Sequence, residues 1–277
     1  MKENYFQSKN SCSFIRYSIK KSNKLTLLFL HGIGDSSLSY TPFHETNKLA
    51  NFNILTPDLL GYGKSSKLKT YSFKKQVEII ANHIVHLEKN TNIEFNSIIV
   101  IPHSMASIHA IKLYNSGIKN KIKGIINIEG TITQYGSFIS ERVKKIYLMD
   151  KFQKWFENFK EIQILNKFIK QFNTCKSYYA SLKFCDPKAF LQNALELRKL
   201  STSSTGKYQN IYGKKFANIR ISKIYCYGDK SLSIESIDFL HENNIPTMVF
   251  KTNNHFLMLQ CFNEFCEFIL KWVKNKY

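Results

Sequence analysis

The chain has 277 residues but no C-x-x-C pair, no apolar run of membrane-span length and few acids. Its six cysteines show no metal-ligand spacing, which argues for reduced structural thiols over zinc or a disulfide framework. A membrane-spanning helix needs roughly 18–20 apolar residues, and no segment comes near that. The first 21 residues lack the apolar stretch of a signal peptide and the Arg-rich, acid-free bias of a transit peptide, so a cytoplasmic protein is expected. There is no internal repeat and no long low-complexity tract. The acids number 20 against 40 Lys and Arg, a formal net charge of +20. Nucleic-acid binding would call for those cations gathered in a stripe with aromatic partners. They are instead almost all Lys, spread along the chain among many Asn, so no nucleic-acid partner is expected. A weak attraction to anionic surfaces or substrates remains.

Hydrophobic residues make up 43% of the chain, enough for the core of one large α/β domain. Apolar runs at 24–32, 52–58, 97–104, 123–130, 221–229 and 246–255 are continuous and do not alternate, as strands covered by helices on both faces require. Helical patterns fill the gaps at about 39–50, 72–89, 105–116, 233–243 and 256–274. The last has an apolar face of Leu257, Cys261, Phe265, Phe268 and Leu270. An antiparallel strand is expected earlier, at 13–21. The alternation predicts a mostly parallel sheet flanked by helices.

From 131 to 215 no buried strand is legible. The sequence there is amphipathic, helical and rich in Lys and aromatics, as in "KKIYLMDKFQKWFENFKEIQILNKFIKQF". The expected division is a core of residues 1–130 and 216–277 with a helical cap inserted at 131–215.

The chemistry-bearing segments all follow predicted strands, so they meet at the carboxyl edge of the sheet. "LFLHGIGDSS" puts His31, Gly32, Ile33 and Gly34 in a tight turn whose backbone N–H groups face the cleft. "PDLLGYGKSS" places Asp58, Gly61, Gly63 and Ser65 in a second turn. "SIIVIPHSMA" ends a strand at Pro102 and offers Ser104, and Asn254-His255 follows the last strand. Taken singly, Ser104 could be a helix cap and His255 another. In register they are a nucleophile and its base, because a hydroxyl attacks only when an imidazole takes its proton.

The ordered set "HGIG", "PDLLGYGKS", "HSM" and "NNHF" resembles the α/β-hydrolase superfamily over nearly the whole chain outside the insertion. That resemblance implies an α/β-hydrolase fold with Ser104 as nucleophile and His255 as base. It also implies an oxyanion hole made by the backbone N–H groups of Ile33 and Met105. Two departures stand out. The Gly-x-Ser-x-Gly elbow of the family reads Pro102-His103-Ser104-Met105-Ala106, where proline fixes φ and removes an N–H. The position that carries the acid in many relatives is Ser231. Two acids preserve the order Ser, acid, His: Glu129 after the strand following the elbow, as in haloalkane dehalogenases, and Asp229 beside Gly228. Glu129 is preferred and Asp229 is the alternative. The remaining histidines carry structural readings, His31 and His103 as packing residues of their turns.

A serine hydrolase cleaving a carboxylic ester or thioester of a small apolar substrate through an acyl-Ser104 intermediate is therefore expected. No metal or organic cofactor is implied. Serine at the elbow argues against dehalogenase and epoxide hydrolase chemistry, for which the family uses aspartate. The rivals are an acyltransferase or carbon–carbon bond hydrolase on the same scaffold, and a ligand-binding protein whose serine is inert. The insertion carries 13 Lys and Arg against 6 acids over 141–200, which would suit an anionic substrate.

Overall fold

The computed structural model describes residues 1–20 and 25–277. Lys21 to Lys24, the expected end of the early strand and first residue of the next run, lie outside the described residues.

Eight strands form one sheet: β1 (Lys2–Ser8), β2 (Ser11–Ser18), β3 (Leu25–Leu30), β4 (Asn53–Asp58), β5 (Ser97–Pro102), β6 (Ile122–Ile128), β7 (Ser222–Gly228) and β8 (Thr247–Phe250). Their spatial order is β1-β2-β4-β3-β5-β6-β7-β8. β1 pairs antiparallel with β2 and β2 with β4, and every other pairing is parallel. Each apolar run of the sequence becomes a strand. All six residues of β4 are buried, as are the last five of β5, because helices cover both faces. β1 is an addition: its alternating, half-exposed "KENYFQS" belongs on a sheet edge, where one face is wet.

The helices that follow β4 and β5, Phe73–Thr91 and Ala106–Tyr114, pack on each other. The C-terminal helix meets the segment after β3, with the ring of Phe262 4.9 Å from that of Phe43. Two helical expectations change. The stretch 39–50 is a short α-helix, Thr41–Glu45, between two single 3₁₀ turns. The last stretch breaks at Cys261 into Leu257–Gln260 and Phe262–Lys274. Its long part buries Phe265, Cys266, Ile269, Trp272 and Val273, whereas Phe268 and Leu270 are only half-buried. The break resets the helical phase, so one stripe does not run through both pieces.

Between β6 and β7 the described chain forms helices only: Phe138–Tyr147, Phe152–Asn158, Phe159–Phe168, Lys176–Phe184, Pro187–Ser201 and Ile211–Ala217, with short turns among them. Ile211–Ala217 packs on Ala106–Tyr114 in the layer flanking the sheet. Phe159–Phe168 is π-wound, closed by Ile169 N–H donating to Ile164 O five residues back. No described helix is long and apolar enough to cross a membrane.

Candidate active site

β5 carries the chain into the elbow. Pro102 is its last residue, and the ladder continues past the missing N–H because His103 N–H donates to Leu30 O at 2.9 Å. Ser104 then takes φ +55°, a left-handed conformation in which a non-glycine residue is strained. Ser104 N–H donates to Ile128 O, and Ser104 O accepts from Ser107 N–H in the first turn of the following helix. The kink is thus held from both sides. A strand terminus tolerates the N–H that proline lacks, and here the pairing is intact.

The turn after β3 lies directly against this elbow. A Cβ added to Gly32 would sit 3.2 Å from Ser104 Cβ and 3.1 Å from His103 Nδ1, which is why glycine serves there. The turn is fixed by its carbonyls and neighbours. His31 Nδ1 donates to Gly32 O at 2.8 Å, and Leu59 N–H donates to His31 Nε2 at 3.0 Å. Those two bonds define a neutral tautomer, and full burial lowers the pKa of this histidine. Asp58 accepts from Ser37 N–H at 2.6 Å and from Lys64 N–H at 2.8 Å, tying the first turn to the glycine-rich second one. With the carbonyls engaged, the backbone N–H groups of Ile33 and Met105 donate to no protein acceptor among the described residues.

Glu129 follows β6, also in the left-handed region at φ +49°. Its side chain is 1% exposed, and Oε2 lies 3.5 Å from His255 Nδ1. The other oxygen, Oε1, accepts from Gly228 N–H at 2.7 Å and from the Ser231 hydroxyl. Asp229 is exposed and accepts from Thr252 N–H at 2.9 Å, away from the histidine. Of the two candidate acids, Glu129 is the one beside His255. Ser231, where many relatives have their acid, steadies that carboxylate instead.

His255 is held by its backbone. His103 Nε2 donates to His255 O at 3.0 Å, and the two rings are 4.8 Å apart. Burial, then the nearby His255, push the His103 pKa well below its ordinary value, so His103 is a neutral donor. Asn254 is buried and bonds Phe256 N–H at 2.9 Å, fixing the loop.

Ser104 and His255 line one cavity of about 290 Å³. Its opposite wall comes from the insertion: Phe138, Trp155, Phe159, Ile164 and Phe168, with Arg142 and Gln163 as polar members. Two larger concavities, about 590 Å³ beside Tyr17 and about 720 Å³ beside Tyr212, contain none of these residues. Arg142 and Gln163 escape sequence reading, as does the bond from Ser231 to Glu129. Nothing in a linear string puts Ser231 against Glu129, because β6 and β7 are neighbours only in the sheet.

A family model described as the alpha/beta hydrolase fold matches residues 26–258. The chain belongs to the α/β-hydrolase fold family. Solved structures similar to it over nearly all of both chains include a thermophilic esterase from Thermogutta terrifontis, at TM-score 0.72 and 13% identity, covering 99% of each chain. Another is the enol-lactonase from Burkholderia xenovorans LB400, at TM-score 0.73 and 9% identity, covering 98% of this chain and 100% of the other. At such identities these likenesses establish the fold alone. Among curated proteins the chain is similar to "Probable lysophospholipase BODYGUARD 1" of Arabidopsis thaliana, at 27% identity over 117 residues. That match covers 39% of this chain and 24% of the relative, so this chain spans about a quarter of the length of the protein it matches.

Proposed function

We propose that this member of the family is a serine hydrolase of carboxylic esters or thioesters with an apolar portion, and that residues 131–215 serve as the cap over its site. The observation that carries the reading is the contact of His255 Nδ1 with the buried Glu129, in the cavity that also holds the strained elbow serine. In this reading Glu129 accepts the Nδ1 proton and fixes the tautomer, leaving Nε2 to take the Ser104 proton. The serine oxygen attacks the carbonyl carbon, and the tetrahedral oxyanion is met by the N–H groups of Ile33 and Met105, each worth about 3–4 kcal/mol. His255 returns its proton to the leaving alcohol or thiol, forming acyl-Ser104. Water, deprotonated by His255, attacks the acyl carbon, and the imidazolium returns that proton to Ser104 Oγ as the acid leaves. The ester and lactone substrates in the names of the similar structures agree with this chemistry. The aromatic wall supplied by the insertion favours an apolar acyl or alcohol portion.

Fluorophosphonate labelling tests it, comparing the native chain with Ser104→Ala and His255→Ala. Labelling of the native chain alone, with nitrophenyl-ester hydrolysis lost in both variants, is expected. A folded native chain that neither labels nor hydrolyses any ester would leave a ligand-binding protein with an inert serine.

A further inference from the structure

The cavity wall contributed by the insertion is aromatic and aliphatic with one formal charge, the guanidinium of Arg142. Its setting is specific. Arg142 lies one helical turn after Phe138, roughly 6 Å along the helix axis. The Phe138 ring centroid is 6.5 Å from that of His255, so Phe138 stands at the His255 end of the helix and Arg142 farther along. Neighbouring carboxylates are occupied elsewhere. Glu141 is paired with Lys145 at 3.0 Å and with Arg198 at 3.5 Å, and Glu161 bonds Lys183 and Tyr179 at 2.9 Å each. Among the described residues Arg142 makes no ion pair. Its side-chain partner is Gln163, whose Oε1 accepts from a guanidinium nitrogen at 3.4 Å.

Gln163, four residues after Phe159, shares its side in either winding, and the π winding adds Ile164 and Phe168 to that side. At about 3.6 residues per turn, residues nine apart in an α-helix are two and a half turns apart, on opposite sides. Phe159 and Phe168 would then face opposite ways. The wider i→i+5 winding places Ile164 and Phe168 with Phe159 and Gln163 on the one side that lines the cavity. With Oε1 engaged by Arg142, the amide N–H₂ of Gln163 is left as a further donor. The wall thus presents a planar fork of donors and a neighbouring amide donor, and no carboxylate.

We infer that Arg142, oriented by Gln163, is an anion-recognition point, and that the substrate carries a carboxylate or phosphate together with its apolar portion. This deepens the hydrolase reading and rests on it for the word substrate. A guanidinium matches either anion through two parallel N–H···O bonds. The group is exposed, so an isolated ion pair there would be weak. A ligand filling the cavity displaces water from around the pair and strengthens it.

Calorimetric titration of the native chain with octanoate, octyl phosphate and octanol tests this without catalysis. At low ionic strength at least one anion is expected to bind about tenfold more tightly than octanol, the least that a charge-assisted bond contributes. The tighter of the two identifies the anionic group as carboxylate or phosphate. In Arg142→Gln the preference for the anion should fall to about one, and in Arg142→Lys part of it should persist. Added salt should weaken the anion and leave octanol unaffected. Equal binding of all three, no binding of either anion, or a preference that survives Arg142→Gln overturns the inference. Circular dichroism confirms that the variants fold. Nitrophenyl-ester hydrolysis by the native chain and by Ser104→Ala runs beside it. Anion preference without Ser104-dependent hydrolysis would end the hydrolase reading and leave the anion site standing. Hydrolysis without anion preference would do the reverse.

Discussion

The sheet and the helical insertion meet at one cavity but are built in different ways. The sheet presents short aliphatic strands, and the residues of the proposed triad sit where they stop: Ser104 after β5, Glu129 after β6 and His255 after β8. The insertion is held by aromatics. Phe190 is fully buried, with ring centroids 4.9 Å from Phe156, 5.9 Å from Phe159 and 6.2 Å from Trp155. It also leaves large apolar side chains in water, Phe138 and Phe184 at 62% and Leu148 at 74% exposure. The proposed mechanism puts the reactive groups on the sheet, where strand ends tethered in a ladder hold their positions closely. The same proposal puts recognition on the insertion, whose helices can be reshaped without disturbing that ladder.

The insertion is nonetheless seated firmly on one side. Tyr62 donates to Asn193 at 2.9 Å, Tyr71 N–H to Gln192 at 2.7 Å and Phe73 N–H to Glu196 at 2.9 Å. A Cβ on Gly61 would come within 2.3 Å of Ala189 Cβ, so the glycine-rich turn and the helix Pro187–Ser201 touch backbone to side chain. The "PDLLGYGKSS" stretch is therefore a support in both directions, toward the loop after β3 and toward the insertion.

The sharpest way to break the division is at the acid. If the chemistry belongs to the sheet, Glu129→Gln should lower kcat on the order of 10⁴-fold, the size such changes cause in Ser–His–Asp enzymes. Asp229→Asn should change it less than about twofold, as surface changes usually do. Steady-state ester hydrolysis measures both, and the opposite ranking would move the acid to Asp229. Next in size, Phe190→Ala should cost about 3–5 kcal/mol in urea unfolding, as for a buried aromatic. A cost under about 1 kcal/mol would mean that the insertion is packed more loosely than the sheet.

The smallest effect concerns the seam. Asp35 is fully buried, and its Oδ1 accepts from Ser36 N–H at 2.8 Å and Ser39 Oγ at 2.6 Å. Those serines reach Ser181 and Ser177 on the insertion, while Asp35 Oδ2 has no partner among the described residues. Burial raises the Asp35 pKa to about 7, with a lesser contribution from Asp58. Between the unfolded value of about 4 and 7 the folded chain holds a proton that the unfolded chain has lost. The resulting stability is complete below about pH 4 and is lost as pH rises through about 7. Asp35→Asn, which cannot ionise, should therefore raise the melting temperature relative to the native chain at pH 8 and little at pH 5. A difference independent of pH would show that Asp35 does not titrate at the seam.

Most of the sheet could be read in advance, because an unbroken apolar run between turn residues has few structures open to it. The elbow, the glycine turns and His255 were legible for a related reason, since each follows such a run directly. β1 was not, because an edge strand of mixed polarity resembles a polar terminus. The π winding at Phe159–Phe168 was not either, because its amphipathic pattern reads as an ordinary helix.

Local sequence pattern was enough for a mostly parallel α/β fold, for the strands that end near Ser104, Glu129 and His255, and for the proposed pairing of the serine with the histidine. Tertiary structure alone decided that Glu129 and not Asp229 lies beside His255, that Ser231 donates to that carboxylate, and that Arg142 faces the same cavity as Ser104. The reason is physical. Strand and helix formation depend on neighbours in the chain, whereas these pairings join residues 100 or more positions apart for Glu129, and about 40 for Arg142, through sheet order and helix packing.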